Sequence, residues 1–124
     1  MTNIPNKIRS ILAVDDDRGV LSVIKDQLER EGYTVLTAQS GAEALRVLQT
    51  TTPLVVLLDL GLPQESGFDV LARIKKFKPE LQVVMVTGSH KEEEARRAFE
   101  LGAWDYVTKP IDFNYLRGIL LFHV

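Results

Sequence analysis

Five apolar runs recur along the chain, and the segments between them have helical spacing. The runs lie at residues 8–14, 33–38, 54–58, 81–86 and 104–108. Their near-continuous Val, Ile and Leu content is typical of strands that are buried on both faces of a sheet. Apolar residues three or four positions apart predict a helix after each run. The alternation therefore predicts a (βα)5 fold, a doubly wound five-stranded parallel sheet with helices on both faces.

Length, charge and composition exclude several functional classes. The 124 residues predict a single domain, residues 1–124 with a core of about 9–123. A net charge of -2 leaves no basic surface for phosphates, so we expect no direct contact with nucleic acid. The absence of cysteine excludes disulfides and thiolate metal sites.

Two further features bear on the cellular location of the protein and on its connection to another domain or partner. The apolar runs are far shorter than the ~20 residues of a membrane helix, so we expect a cytoplasmic protein with no membrane contact. The sequence stops on the apolar stretch "GILLFHV". We therefore expect either an output domain beyond residue 124 or a last helix that docks on a partner.

Polar residues follow four of the predicted strands, where ligands of open α/β sheets bind. They are Asp15, Asp16 and Asp17 after the first strand, Asp59 after the third, Thr87 after the fourth and Lys109 after the fifth. Each has an ordinary structural interpretation, since Asp often caps a helix and Lys is often a solvated surface charge. Asp17 is the best candidate for such a cap. The coincidence of the others at one edge of the sheet favours a binding site.

The chemistry of this group of residues favours a hard divalent cation. Neighbouring carboxylates oppose each other's ionisation unless a cation neutralises them. Mg2+ suits a sparse oxygen site because it keeps several waters, and Mn2+ is a possible substitute. A carboxylate beside the metal can attack a phosphoryl group, while Lys109 and Thr87 hold the transferred oxygens.

Four segments, in this order, carry a family resemblance. They are "ILAVDDD", "VLLDLGLPQESGFDVL", "VVMVTGS" and "GAWDYVTKP". Together they resemble the receiver domain of two-component response regulators, and the match runs from about residue 9 to 123. The resemblance implies a flavodoxin-like fold that accepts a phosphoryl group from a histidine kinase or a phosphotransfer protein. It implies no catalysis beyond the domain's own phosphorylation and dephosphorylation.

The resemblance assigns a role to each residue at the strand ends. Asp59 corresponds to the phosphoryl acceptor, and Asp15 and Asp16 to the acidic pair that positions Mg2+. The metal would also contact Asp59 and the backbone carbonyl of Gly61. Lys109 corresponds to the lysine that pairs with the acceptor.

The resemblance also implies a switch and an output surface. Thr87 corresponds to the switch hydroxyl and Tyr106 to the aromatic side chain that follows it, while Pro110 stands where the family has a cis peptide after Lys109. Phosphorylation would remodel the face made by the fourth helix, fifth strand and fifth helix. That face would contact an output domain, a downstream protein or a second copy of the chain. Its candidate contact residues are Lys91, Trp104, Asp105 and Arg117.

Two positions depart from the family pattern. Gly61 has no side chain and Ser89 a short one, at the positions that in this family influence attack of water on the acyl phosphate. We therefore expect a comparatively long-lived phosphorylated form.

Three other functions each fit part of the sequence. Asp15 and Asp17 form the D-x-D of a Mg2+-dependent phosphohydrolase of the haloacid dehalogenase type, but Gly19 stands where Thr or Val is expected and Asp59 would have no role. A receiver-like module that only binds partners is disfavoured, because such a module would ordinarily lack one of the site residues and all of them are present here. A flavin-binding domain is disfavoured because the acidic first loop repels a phosphate. His90 and His123 are isolated and are expected to have no role.

Overall fold

The computed structural model describes residues 9–122. Within them, strands and helices alternate along the chain. The strands are β1 (Ser10–Val14), β2 (Thr34–Ala38), β3 (Val55–Leu58), β4 (Gln82–Thr87) and β5 (Asp105–Thr108). The helices are α1 (Arg18–Glu29), α2 (Gly41–Thr50), α3 (Gly67–Phe77), α4 (Glu92–Glu100) and α5 (Phe113–Leu121). The predicted position of Ile8 in the first strand and the expectation for His123 lie outside the described residues.

All five strands form one parallel sheet in the order β2-β1-β3-β4-β5. This arrangement confirms the predicted doubly wound (βα)5 fold. The chain moves outward from β1 to β2 and then returns to the other side of β1 to form β3. The carboxyl ends of β1 and β3 therefore flank the point where strand order reverses, which is where ligands bind in open α/β sheets.

Each face of the sheet has its own apolar core. Leu12 and Val14 of β1 face the cluster that includes buried side chains of α2, α3 and α4. Ile11 and Ala13 face the opposite cluster, which includes the buried side chains of α1 and α5. This alternation along β1 follows from the two-residue period of a strand. Both faces are covered, so the sheet is a rigid support for the residues at its strand ends.

Burial distinguishes the three central strands from the two edge strands. Strands β1 and β3 are entirely buried, as is β4 after its first residue. In contrast, β2 has exposed positions and β5 is mostly half-buried. The expectation of burial on both faces thus holds for the central strands only. Strands β2 and β5 each lack a neighbour on one side, and the helices cover those edges incompletely.

Two aspartates cap helices at the same edge of the sheet. Asp17 Oδ1 accepts hydrogen bonds from the amides of Gly19 and Val20, at 2.8 and 3.3 Å. Asp112 Oδ1 caps α5 through two amides of its first turn in the same way. The cap at Asp17 agrees with the sequence-based prediction. Asp17 therefore has a structural function that separates it from its two acidic neighbours.

Gly67 provides a test of the packing beside β3. A Cβ atom on Gly67 would lie 2.5 Å from Leu60 Cα and 2.6 Å from the Asp59 carbonyl oxygen. These are backbone atoms, so Gly67→Ala is expected to reduce the free energy of unfolding by about 1–3 kcal/mol. Urea denaturation measures this loss.

The matched control is Gly118→Ala in α5, where a Cβ meets nothing within 4 Å. Alanine is the better helix former there, so this variant is expected to gain about 0.5–1 kcal/mol. Equal stability of the two variants would contradict the described packing around Gly67.

Candidate functional site

Asp15 and Asp59 occupy equivalent positions on neighbouring strands. Val14 of β1 pairs with Leu58 of β3, so each aspartate is the next residue beyond its strand. Backbone bonds continue past the strands, from the Asp59 amide to the Val14 carbonyl and from the Asp15 amide to the Ala38 carbonyl, both 3.0 Å long. Asp15 is 3% exposed and Asp59 6%. The two buried carboxyl groups therefore lie at neighbouring strand ends, at the point where strand order reverses.

Asp16 completes a group of three carboxylates at this edge. One carboxylate oxygen from each of Asp15, Asp16 and Asp59 lies within 4.8 Å of the other two. Mg2+ holds oxygens at about 2.0–2.1 Å, so two oxygens bound to one ion are about 3 Å apart when adjacent and about 4.2 Å apart when opposite. The three carboxylates are thus close enough to share a single hard cation once they draw in around it. Asp16 is exposed, which leaves one side of the group open to water and to a phosphate.

Lys109 brings a positive charge to the carboxylates. Its Nζ lies 2.7 Å from Asp15 Oδ2 and 3.5 Å from Asp59 Oδ2. The Lys109 amide donates to the Thr87 carbonyl at 2.8 Å, which fixes the start of this side chain beside β4. The bond between Lys109 and Pro110 is cis. Resemblance led us to expect a pair with Asp59, whereas the ammonium contacts both carboxylates and is nearer to Asp15.

Burial and neighbouring charges have opposite effects on the pKa values of Asp59 and Lys109. Burial raises the pKa of the Asp59 carboxyl above its ordinary value, the charge of Asp15 adds to that rise, and the Gly61 amide and Lys109 reduce it. Burial also lowers the pKa of Lys109, but its contacts with Asp15 and Asp59 outweigh burial and raise the pKa overall. Lys109 is therefore charged at neutral pH. An ionised Asp59 is costly here, and a second cation would reduce that cost.

Gly61 leaves space beside the Asp59 carboxyl. The Gly61 amide donates to Asp59 Oδ1 at 3.2 Å, and a Cβ atom at Gly61 would meet nothing within 4 Å. Gly61 therefore contacts the Asp59 carboxyl through its amide and places no side chain in the open space beside the loop.

Thr87 and Tyr106 meet at Ser89. Thr87 is 3% exposed, and its Oγ1 accepts a hydrogen bond from the Ser89 amide at 3.2 Å. The Tyr106 hydroxyl donates to the Ser89 carbonyl at 3.3 Å. Burial raises the pKa of Tyr106 above its ordinary value, so the phenol is neutral and can donate. The two residues assigned to a switch are thus connected through the backbone of one residue between them.

The residues predicted for an interface differ in their surroundings. Lys91 is exposed at the N-cap of α4, and the Arg117 guanidinium donates to the Asn114 side chain at 2.7 Å. Asp105 accepts hydrogen bonds from the Tyr106 amide and the Tyr115 hydroxyl. Trp104 is half-buried and packs against the core on the side of α1 and α5.

Sequence reasoning missed two contacts of α4. The Arg97 guanidinium lies 4.4 Å from the centre of the Phe68 ring on α3. The Ser89 hydroxyl donates to Glu94 Oε1. A glutamate at the third position of a helix is the signal for such a bond, but the lysine at the N-cap position concealed it. His90 is exposed in the same loop.

Comparisons with known proteins agree with this geometry. A family model described as the response regulator receiver domain matches residues 11–121. Among curated proteins, the transcriptional regulatory protein PhoP of Bacillus subtilis is 37% identical over 102 residues, which are 82% of this chain and 42% of that protein. The photosynthetic apparatus regulatory protein RegA of Cereibacter sphaeroides is 35% identical over 91% of this chain and 61% of its own length.

The solved structures lead to the same class. A CheY-like receiver domain protein from Methanospirillum hungatei superposes with a TM-score of 0.85 at 30% identity, covering 94% of this chain and 96% of that one. The chain therefore belongs to the receiver domain family of two-component response regulators. It spans 42%, 25% and 61% of the length of PhoP, of GlrR from Escherichia coli and of RegA. Within residues 9–122, no helix has the length and apolar content that a bilayer crossing requires.

The neighbouring acidic residues Asp16 and Asp17 allow a matched test of metal binding. Asp16→Ala removes one of the three gathered carboxylates and is expected to weaken Mg2+ binding roughly tenfold or more, because even outer-shell partners of a metal have effects of that size. Asp17→Ala removes a cap and is expected to lose about 1 kcal/mol of stability while Mg2+ affinity is kept. Isothermal titration calorimetry and thermal unfolding measure the two quantities. An equal loss of Mg2+ affinity in both variants would contradict the described site.

Proposed function

We propose that Asp59 accepts a phosphoryl group from a phosphohistidine of a histidine kinase or a phosphotransfer protein, in a Mg2+-dependent reaction. The observation that carries this proposal is the contact of one ammonium, Lys109, with two nearly buried carboxylates, Asp15 and Asp59. Two buried carboxylates this close together reduce the stability of the folded chain, so they are not explained by a purely structural role. They are suited to a site that binds cations and phosphate oxygens.

The transfer exchanges one bond to phosphorus for another. A carboxylate oxygen of Asp59 forms the new P–O bond while the bond from phosphorus to the donor nitrogen breaks. The electron pair of the broken bond leaves on the donor imidazole. Lys109 stabilises negative charge on the transferred oxygens, and the Thr87 hydroxyl donates a hydrogen bond to one of them.

Asp15, Asp16, Asp59 and the Gly61 carbonyl would hold the metal ion. When bound, Mg2+ neutralises the carboxylates and the phosphoryl oxygens. Two solved relatives support this assignment. One from Burkholderia pseudomallei, 27% identical with a TM-score of 0.85, contains a phosphorylated aspartic acid and a calcium ion. Another is a beryllium fluoride-activated DrrB receiver domain, 32% identical with a TM-score of 0.83.

Phosphorylation would change the output face, which is formed by α4, β5 and α5. A phosphoryl group adds about two negative charges and three strong acceptor oxygens. It would draw the Thr87 hydroxyl away from the Ser89 amide, and Tyr106 would follow. The changed face would then contact an output domain, a downstream protein or a second copy of the chain. The residues proposed for that contact are Lys91, Trp104, Asp105 and Arg117.

The family of the chain also supports a proposal for its domain bounds, its compartment and its output domain. Residues 1–124 would form one receiver domain of the cytoplasm, with the output domain elsewhere in a longer regulator, because the relatives extend well beyond the matched part. The domain would catalyse only its own phosphorylation and dephosphorylation. The phosphohydrolase alternative is less well supported, because the second carboxylate of its D-x-D motif, Asp17, caps α1.

Incubation with acetyl phosphate and Mg2+, followed by intact mass measurement, tests the proposal. We expect a gain of one phosphoryl group that is absent without Mg2+ and in Asp59→Asn. Asp26→Asn is the matched control, since this exposed residue on α1 pairs only with Arg30 among the described ion pairs, and it should gain the group normally. Turnover of acetyl phosphate with no stable adduct would indicate a hydrolase. No adduct and no turnover would indicate a binding module, and either result overturns the proposal.

A further inference from the structure

Ser89 joins the candidate switch to helix α4 through four hydrogen bonds. Its amide donates to Thr87 Oγ1 at 3.2 Å, and its carbonyl accepts from the Tyr106 hydroxyl at 3.3 Å. Its own hydroxyl donates to Glu94 Oε1 and accepts from the Lys91 amide at 3.3 Å. The backbone of Ser89 thus contacts the switch residues, and its side chain contacts the first turn of α4.

Helix α4 buries fewer residues than any of the other four helices. Ala98 is its single buried residue, whereas α3 has five. The N-cap residue of α4, Lys91, makes no side-chain capping bond. Segments with little buried apolar surface open most easily. The position of the first turn of α4 therefore depends strongly on the polar contacts that anchor it.

Glu94 makes a side-chain hydrogen bond at the start of α4, where the N-cap residue Lys91 makes none. It is the third residue of α4, where a glutamate reaches back across the helix start. Here the carboxylate meets the side chain of Ser89, two residues before the N-cap. A hydrogen bond to an ionised carboxylate is shorter and roughly twice as strong as one between neutral groups.

We propose that Glu94 is a positioning residue that couples the Thr87 hydroxyl to helix α4 through Ser89. The inference rests on the proposed function, since phosphorylation is what would move Thr87. When Thr87 turns to a phosphoryl oxygen, the Ser89 amide loses its acceptor and the loop shifts. The bond between Ser89 and Glu94 transmits that shift to the first turn of α4. Without it, the change does not reach α4.

The coupling is tested on the full chain by NMR of backbone amides before and after phosphorylation with acetyl phosphate and Mg2+. In Glu94→Ala, the shift changes of residues 92–100 are expected to fall to less than half of the wild-type values. The changes at Gly61, beside the acceptor, should keep their full size. Glu94→Gln is expected to restore the response, because its amide oxygen can still accept from the Ser89 hydroxyl.

Two further variants control the test. Glu93→Ala removes the same charge from an exposed neighbour and is expected to respond as the wild type does. Ser89→Ala removes the other partner and should reproduce the loss even if Glu94→Ala unfolds part of α4. A full α4 response in Ser89→Ala or in a folded Glu94→Ala would overturn the inference, as would a failure of Glu94→Gln to restore it.

Intact mass separates this inference from the proposed function. A wild-type protein that gains no phosphoryl group overturns the proposed function. A protein that gains the group, with an α4 response that does not depend on Glu94, overturns only the coupling.

Discussion

The contact of the Lys109 ammonium with Asp15 and Asp59 is the interaction on which the rest of the account depends. Two carboxylates that are almost completely buried cannot both ionise cheaply without a cation nearby. The sheet order causes this repulsion, because β1 and β3 end side by side and an aspartate follows each strand. The same fold reduces the repulsion, because Lys109 follows β5 at the same edge of the sheet. The fold therefore maintains a local excess of negative charge that a hard cation would neutralise.

The rest of the molecule keeps that arrangement rigid and links it to a surface. Apolar clusters on both faces of the sheet fix the central strands, and Gly67 lets α3 begin close to the backbone of the two residues that follow β3. Helix α4 differs, since it buries little and is joined to the site through Ser89. A rigid site beside a helix that buries few residues suits a switch, because a local change in charge can bias a two-state element.

The fold could be predicted from the sequence because its signals are local. Continuous apolar runs mark β1, β3 and β4, and Asp17 marks the start of α1. The grouping of Asp15, Asp16 and Asp59 also followed from the position of each residue after a strand. The edge character of β2 and β5 was not predicted, since strand order depends on packing across the whole sheet. Nor could spacing show that Lys109 lies nearer to Asp15 than to Asp59, or that Arg97 covers the Phe68 ring, because these contacts join distant parts of the chain.

The pKa of the Asp59 carboxyl, measured by carbon NMR in protein freed of divalent metal, tests the central claim most directly. The account predicts a pKa above the ordinary aspartate value of about 3.9, because burial and Asp15 oppose ionisation. Mg2+ should lower this pKa, since a cation favours the charged form. Lys109→Met should raise it further, since that variant removes a positive charge. A pKa at or below the ordinary value, unchanged by Mg2+ and by Lys109→Met, would contradict the account.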